Sequence, residues 1–96
     1  MSLTELRRRI DRIDRELIAL LNRRAALAVE IGEEKARRGV PVRDAEREAD
    51  VLARANKANR GPLAGEAVEG IFRRIIHACR KLEQSGRGPV RARGGK

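Results

Sequence analysis

The sequence predicts an all-α protein of three helices, the first of them long, on three observations. Leu, Ile, Val, Ala, Arg and Glu dominate the chain and Phe72 is its one aromatic residue, a composition that favours helix over sheet. Apolar residues recur at three- and four-residue steps through most of the 96 residues. Breakers at Gly39-Val40-Pro41 and Gly61-Pro62 divide that pattern into three runs.

The first run places Leu6, Ile10, Ile13, Leu17, Leu20, Leu27 and Ile31 on one seam of coiled-coil character. Thr4 is the expected N-cap and Gly39 with Pro41 the stop, which makes a helix of about 34 residues and about 50 Å. A compact chain of this size has a radius of gyration of only about 12 to 13 Å. The overhanging seam therefore calls for a second chain. In the second run, Asp44 caps a helix that continues to about Asn59 and carries Val51, Leu52 and Ala55 inward. The third run, from about Ala64 to Gln84, presents Val68, Ile71, Phe72, Ile75, Cys79 and Leu82 at helical spacing, with no good N-cap. Residues 1–84 thus read as one helical domain. Residues 85–96, rich in Gly, Pro and Arg, read as a basic tail expected to be disordered.

The formal net charge is +9, of which Arg87, Arg91, Arg93 and Lys96 in the tail supply +4, leaving +5 on residues 1–84. Such an excess suits an anionic small molecule or a nucleic acid. The absence of Trp and Tyr removes the aromatic platforms on which bases usually stack, so nucleic acid is the weaker reading. Cys79 is the single cysteine, which excludes an intrachain disulfide and suits a reducing compartment. Arg7, Arg8 and Arg9 interrupt the N-terminus before a signal peptide's apolar run can form, and no segment is apolar enough to span a membrane. A cytoplasmic location is expected.

The candidate functional residues are charges that stand where the helical period predicts apolar side chains. Arg24 lies 18 residues after Leu6, about five turns, and so faces the same way. Lys35 follows 11 residues later, about three turns, on nearly the same face. Cations on an inner face are costly unless an anion pairs with them. They either snorkel or pair with glutamates across a dimer, or they await an anionic ligand. Glu48 stands one turn before Leu52 and Glu83 one turn after Cys79, each extending an apolar stripe. Arg47 occupies the first turn of the second helix, where the macrodipole prefers an acid; it is either a solvated charge or a ligand contact. Arg7 lies on the edge of the first seam, 17 residues or about 25 Å from Arg24. If two long helices pack antiparallel, Arg7 of one chain approaches the middle of the other and completes a site there. His77 has no companion at metal-ligand spacing, so no metal is expected, and no glycine-rich motif is present to cradle a phosphate. Cys79 lacks an adjacent base and reads as a small core residue.

Four segments, LRRRIDRIDRELIALLNRR, LAVEIGEEK, VPVRDAEREADVL and IFRRIIHACRKLEQ, together resemble the all-α class of chorismate mutases over about residues 4 to 84. The resemblance implies three helices per chain and an intertwined homodimer whose long first helices interlock around two sites. It implies that Arg24 and Arg47, with Arg7 from the other chain, hold the two carboxylates of chorismate. Lys35 would bond the ether oxygen, and Asp44 and Glu48 would meet the ring hydroxyl. Glu83 stands where many members carry Gln, and Cys79 where several carry Ser, both as substrate contacts. The implied reaction is the pericyclic rearrangement of chorismate to prephenate, a step toward phenylalanine and tyrosine in the shikimate pathway, without a cofactor. Lys35, Glu83 and Arg24 would carry the catalysis, and docking to another enzyme of that pathway is a further implied possibility. A Glu at position 83 has to carry a proton to donate to the ether oxygen, so turnover is expected to fall as pH rises.

Two other readings compete. An isochorismate pyruvate lyase shares the helical fold and a related pericyclic elimination, but does not call for the Asp44 and Glu48 pair. A non-catalytic helical dimerisation or nucleic-acid-binding module needs only the seam and the basic tail, and predicts salt-sensitive DNA binding without turnover.

Overall fold

Ser2 opens the first helix with a reciprocal capping box. The Glu5 amide donates to Ser2 Oγ at 3.1 Å while the Ser2 amide donates to Glu5 Oε1 at 3.2 Å. This computed structural model describes residues 1–85, so the tail expected to be disordered lies, from residue 86 onward, outside the described residues. Helix α1 runs Leu3–Arg38, α2 Ala45–Ala58 and α3 Gly65–Ser85, and among the described residues there is no strand. The start of α1 corrects the expectation of Thr4 as N-cap: Ser2 satisfies more orphan amides because Glu5 reaches back to it.

The end of α1 follows from Gly39, whose φ of 68° is the left-handed conformation glycine adopts without penalty. There the Gly39 amide donates to Ala36 O and the Val40 amide to Lys35 O, closing the last carbonyls of the helix. Asp44 caps α2 as expected, its carboxylate accepting from the Arg47 amide at 3.0 Å. Asn59 ends α2 and organises the next turn, accepting from the Gly61 amide and donating to Leu63 O.

Helix α3 packs against both α1 and α2, whereas α1 and α2 do not approach each other. The gap between them is therefore floored by α3 and left open. Its tightest point is Gly32 on α1: a Cβ there would lie 2.7 Å from the Glu83 backbone, so only glycine allows the two helices this close.

A single chain buries little. Ala28 and Cys79 are the buried apolar side chains, at 4 and 7% exposure. Leu6, Ile10, Ile13, Leu17 and Leu20 are 44 to 57% exposed, and every residue before Arg24 is exposed. Ile71 and Leu82, drawn inward by the periodicity of the third run, are also exposed in the single chain. The molecule measures 53 × 33 × 14 Å with a radius of gyration of 16.7 Å, well above the roughly 12 to 13 Å of a compact chain. Little more than one helix thick in its shortest dimension, it has no room for a core of its own.

Candidate active site

The opening between α1 and α2 is a cavity of about 400 Å³, the size of a small-molecule site. Leu27, Ala28 and Ile31 of α1, Val42 of the connecting loop, Val51 of α2 and Ile76 of α3 make its apolar wall. Set into that wall are Arg24, Lys35, Arg47 and Arg80 as cations and Asp44, Glu48 and Glu83 as acids.

Lys35 comes from the last turn of α1, where a cation suits the helix dipole. Its Nζ donates to Glu83 Oε1 at 3.0 Å and to Val42 O at 2.7 Å, with side-chain exposures of 21% for Lys35 and 14% for Glu83. Two of the three ammonium donors are thus committed, and one is left for a ligand. The pairing depends on Gly32, one turn earlier on α1, because the near-contact of backbones there sets Glu83 beside Lys35. Glu83 is the acceptor in this pair.

Arg24 is half-buried in the cavity wall and makes no hydrogen bond or ion pair with any described residue. A guanidinium partly withdrawn from water without an anion is held at a cost that an anionic ligand would offset. Arg47 lines the cavity but is exposed, with Nη1 3.0 Å from Asp50 Oδ2. Asp50 is held below the usual carboxylate range chiefly by its hydrogen bond from Arg54, with Arg47 adding to the effect. Asp44 reaches the cavity edge while its carboxylate caps α2.

Of the residues expected from the sequence, the fold brings Arg24, Lys35, Asp44, Arg47, Glu48 and Glu83 to one cavity. Arg7 is not among them: it lies on the exposed first turns of α1, about 25 Å away along the helix axis. Cys79 is buried and free, and does not line the cavity. His77 is exposed. Among the described residues no group of His, Cys, Asp and Glu is arranged to hold a metal ion.

Arg80 was not anticipated. It lies four residues after Ile76 and three before Glu83, on the same face of α3, and its Nη1 is 2.5 Å from Glu48 Oε2. The signal was present, since a cation on that apolar face obeys the rule that singled out Arg24.

The family model for chorismate mutase type II matches residues 6–84, nearly all of the described chain. The chain belongs to this chorismate mutase family. A bifunctional chorismate mutase/prephenate dehydratase of Aquifex aeolicus is 43% identical over 86 residues, covering 85% of this chain. The T-protein of Enterobacter agglomerans is 40% identical over 75 residues, covering 77% of it. The chain spans only 24 and 20% of the lengths of those two proteins. A solved chorismate mutase of Thermus thermophilus superimposes with a TM-score of 0.84 at 35% identity, over 85% of this chain and 93% of that one. The chorismate mutase fold is therefore shared almost end to end with a protein of similar size.

Proposed function

We propose that the chain is a chorismate mutase, converting chorismate to prephenate. The observation that carries this reading is the cavity itself, where an unpaired Arg24 and a Lys35 with a spare donor stand in an apolar wall. In the rearrangement a carbon–oxygen bond breaks as a carbon–carbon bond forms, with no proton transfer and no covalent link to the protein. A protein accelerates such a step by binding the folded reactive conformer and by fixing positive charge where the ether oxygen gains electron density. Arg24 and Arg47 take the carboxylates, Arg47 exchanging its exposed contact with Asp50 for the ligand. Lys35 directs its free donor to the ether oxygen, Asp44 and Glu48 receive the ring hydroxyl, and a protonated Glu83 donates beside Lys35.

The active unit in this reading is a homodimer whose α1 arms cover each other's seams. Burying five or more half-exposed Leu and Ile side chains per chain, at about 1.5 to 3 kcal/mol each when fully buried, supplies what the single chain's interior lacks. Arg7 of the partner subunit then joins Arg24 at the carboxylates. Among the described residues no helix is long and apolar enough to cross a membrane, and the unpaired Cys79 suits a reducing cytoplasm, where we place the enzyme. The bifunctional relatives carry a prephenate dehydratase beside the mutase, which supports a role next to an enzyme that consumes prephenate.

Chorismate added to the purified chain should be consumed, followed as loss of its absorbance, with prephenate as product. Pyruvate and an aromatic acid, formed from isochorismate, would identify a lyase instead. Unchanged chorismate would reject the proposal.

A further inference from the structure

Glu48 meets a second cation, and the geometry gives that cation a task. The carboxylate projects from the first turn of α2 and is held from α3, with Arg80 Nη1 donating to its Oε2. Its other oxygen faces Arg43 Nε at 3.3 Å. The two guanidinium groups are not equivalent: the Arg43 side chain is 62% exposed, whereas Arg80 and Glu48 are 22 and 21% exposed. Arg80 is thus the partner that is itself packed, and its charge-assisted hydrogen bond ties the carboxylate to α3.

The pair also stands between two openings. Glu48, Ile76 and Arg80 line the cavity between α1 and α2 and also a groove on the far side of α2 and α3, beside His77 and Arg73. The Arg80 head group is thus part of what separates the two spaces. Charge balance points the same way. The cavity holds four cations, Arg24, Lys35, Arg47 and Arg80, against three acids, Asp44, Glu48 and Glu83, a net +1. A partner's Arg7 raises this to +2, which matches a dianion. Without Arg80, only the exposed Arg43 would offset Glu48's charge against that dianion.

We propose that Arg80 is a positioning residue for the reaction: it holds Glu48 aimed at the substrate's ring hydroxyl while offsetting its repulsion of the dianion. The inference rests on the chorismate mutase reading, because it assigns the hydroxyl to Glu48.

A double-mutant cycle on the full chain tests it, using Arg80→Met, Glu48→Gln and both together, with kcat and KM for chorismate and a melting temperature for each. Arg80→Met should lower kcat/KM by about 10- to 100-fold, as expected when a positioned group is displaced by roughly an ångström. In the Glu48→Gln background, where a neutral amide neither repels the dianion nor needs a guanidinium, the same substitution should cost less than about threefold. Arg80→Lys should recover part of the loss by restoring the charge without the guanidinium's reach and planarity. Independent, multiplying penalties would show Arg80 acting on the substrate directly and overturn the inference, as would full activity of Arg80→Met. Equal losses in both backgrounds accompanied by a fall in melting temperature would mark a structural role and overturn it too. A wild-type chain that leaves chorismate untouched would remove the parent reading, an outcome distinct from the others because it appears before any variant is made.

Discussion

Helix α1 is one continuous rod, yet its two ends live in different surroundings. Residues 3–23 are exposed along their whole length, and their apolar seam of Leu6, Ile10, Ile13, Leu17 and Leu20 stands in water. Residues 24–38 lie against α3, and there the cations are the withdrawn groups: Arg24 and Lys35 are half-buried, and Lys35 is paired. One end shows apolar groups where a folded protein places polar ones, and the other end shows the reverse. Each mismatch names a missing component. The exposed seam lacks a second apolar surface, and Arg24 lacks an anion among the described residues.

The strongest way to break this comparison is to make the arm polar. Ile13→Asp puts a charge in the middle of the seam, and twofold symmetry would count it twice in a dimer. Assembly should be lost, with the chain sedimenting as monomer or unfolding, and chorismate turnover should vanish with it. A variant that sediments and turns over as the parent does would show that the arm needs no partner. At the other end, Lys35→Ala removes the donor that the proposed mechanism directs to the ether oxygen. We expect a loss of about 100- to 1,000-fold in kcat, the size seen when one preorganised donor is deleted, with helical content unchanged by circular dichroism. Retained turnover would reject the role.

The two ends can also be tested against each other. Arg7→Ala damages the arm and Arg24→Ala the cavity, and each homodimer should be nearly inactive. When the two are unfolded and refolded together in equal amounts, half of the dimers are mixed, and each mixed dimer has one site with both arginines intact. About a quarter of wild-type activity should return. If nothing returns, Arg7 does not serve across the interface.

Glu83 offers a finer test within the cavity. It accepts from Lys35, whereas donation to an ether oxygen requires a proton. Wild-type turnover should therefore fall by up to about tenfold per pH unit on the alkaline side. Glu83→Gln, a permanent donor, should stay level over the same range. A wild-type profile level from acid to mildly alkaline pH would remove the idea.

How far these features could be read from the sequence depended on whether their cause was local. Gly39, Asp44 and Gly61-Pro62 act within a turn of their own position, so the C-terminal end of α1 and the borders of α2 were legible. The start of α1 was misplaced because Thr4 and Ser2 both have capping hydroxyls, and the reach of Glu5 back to Ser2 decides between them. Arg24, Lys35, Glu48 and Glu83 were legible as breaks in apolar stripes. Arg80 was missed because the α3 stripe was drawn through Phe72, Ile75, Cys79 and Leu82. The crossing with α1 turns the neighbouring row of Ile76, Arg80 and Glu83 toward the cavity instead. Gly32 was unremarkable as a letter, and only the approach of two backbones shows why a side chain cannot stand there.

The smallest effect expected lies one residue from the largest catalytic one. Glu34 precedes Lys35 in the last turn of α1 and pairs with Arg37 and Arg38, both exposed, at an end of the helix that faces solvent. Its carboxylate is held below its ordinary value, first by the hydrogen bond from Arg37 and then by that from Arg38. A carboxylate whose folded value is depressed stabilises the fold above its unfolded value, here near 4.5, and loses that contribution as pH falls through the folded value. Exposed pairs of this kind are screened by water and salt, so Glu34→Gln should lower the melting temperature only slightly at neutral pH. The difference from wild type should close below the carboxylate range, and chorismate turnover should not change. A loss of turnover comparable to that of Lys35→Ala would mean that the solvent-facing and cavity-facing sides of this turn are not separable, and that α1 transmits charge around its circumference into the site.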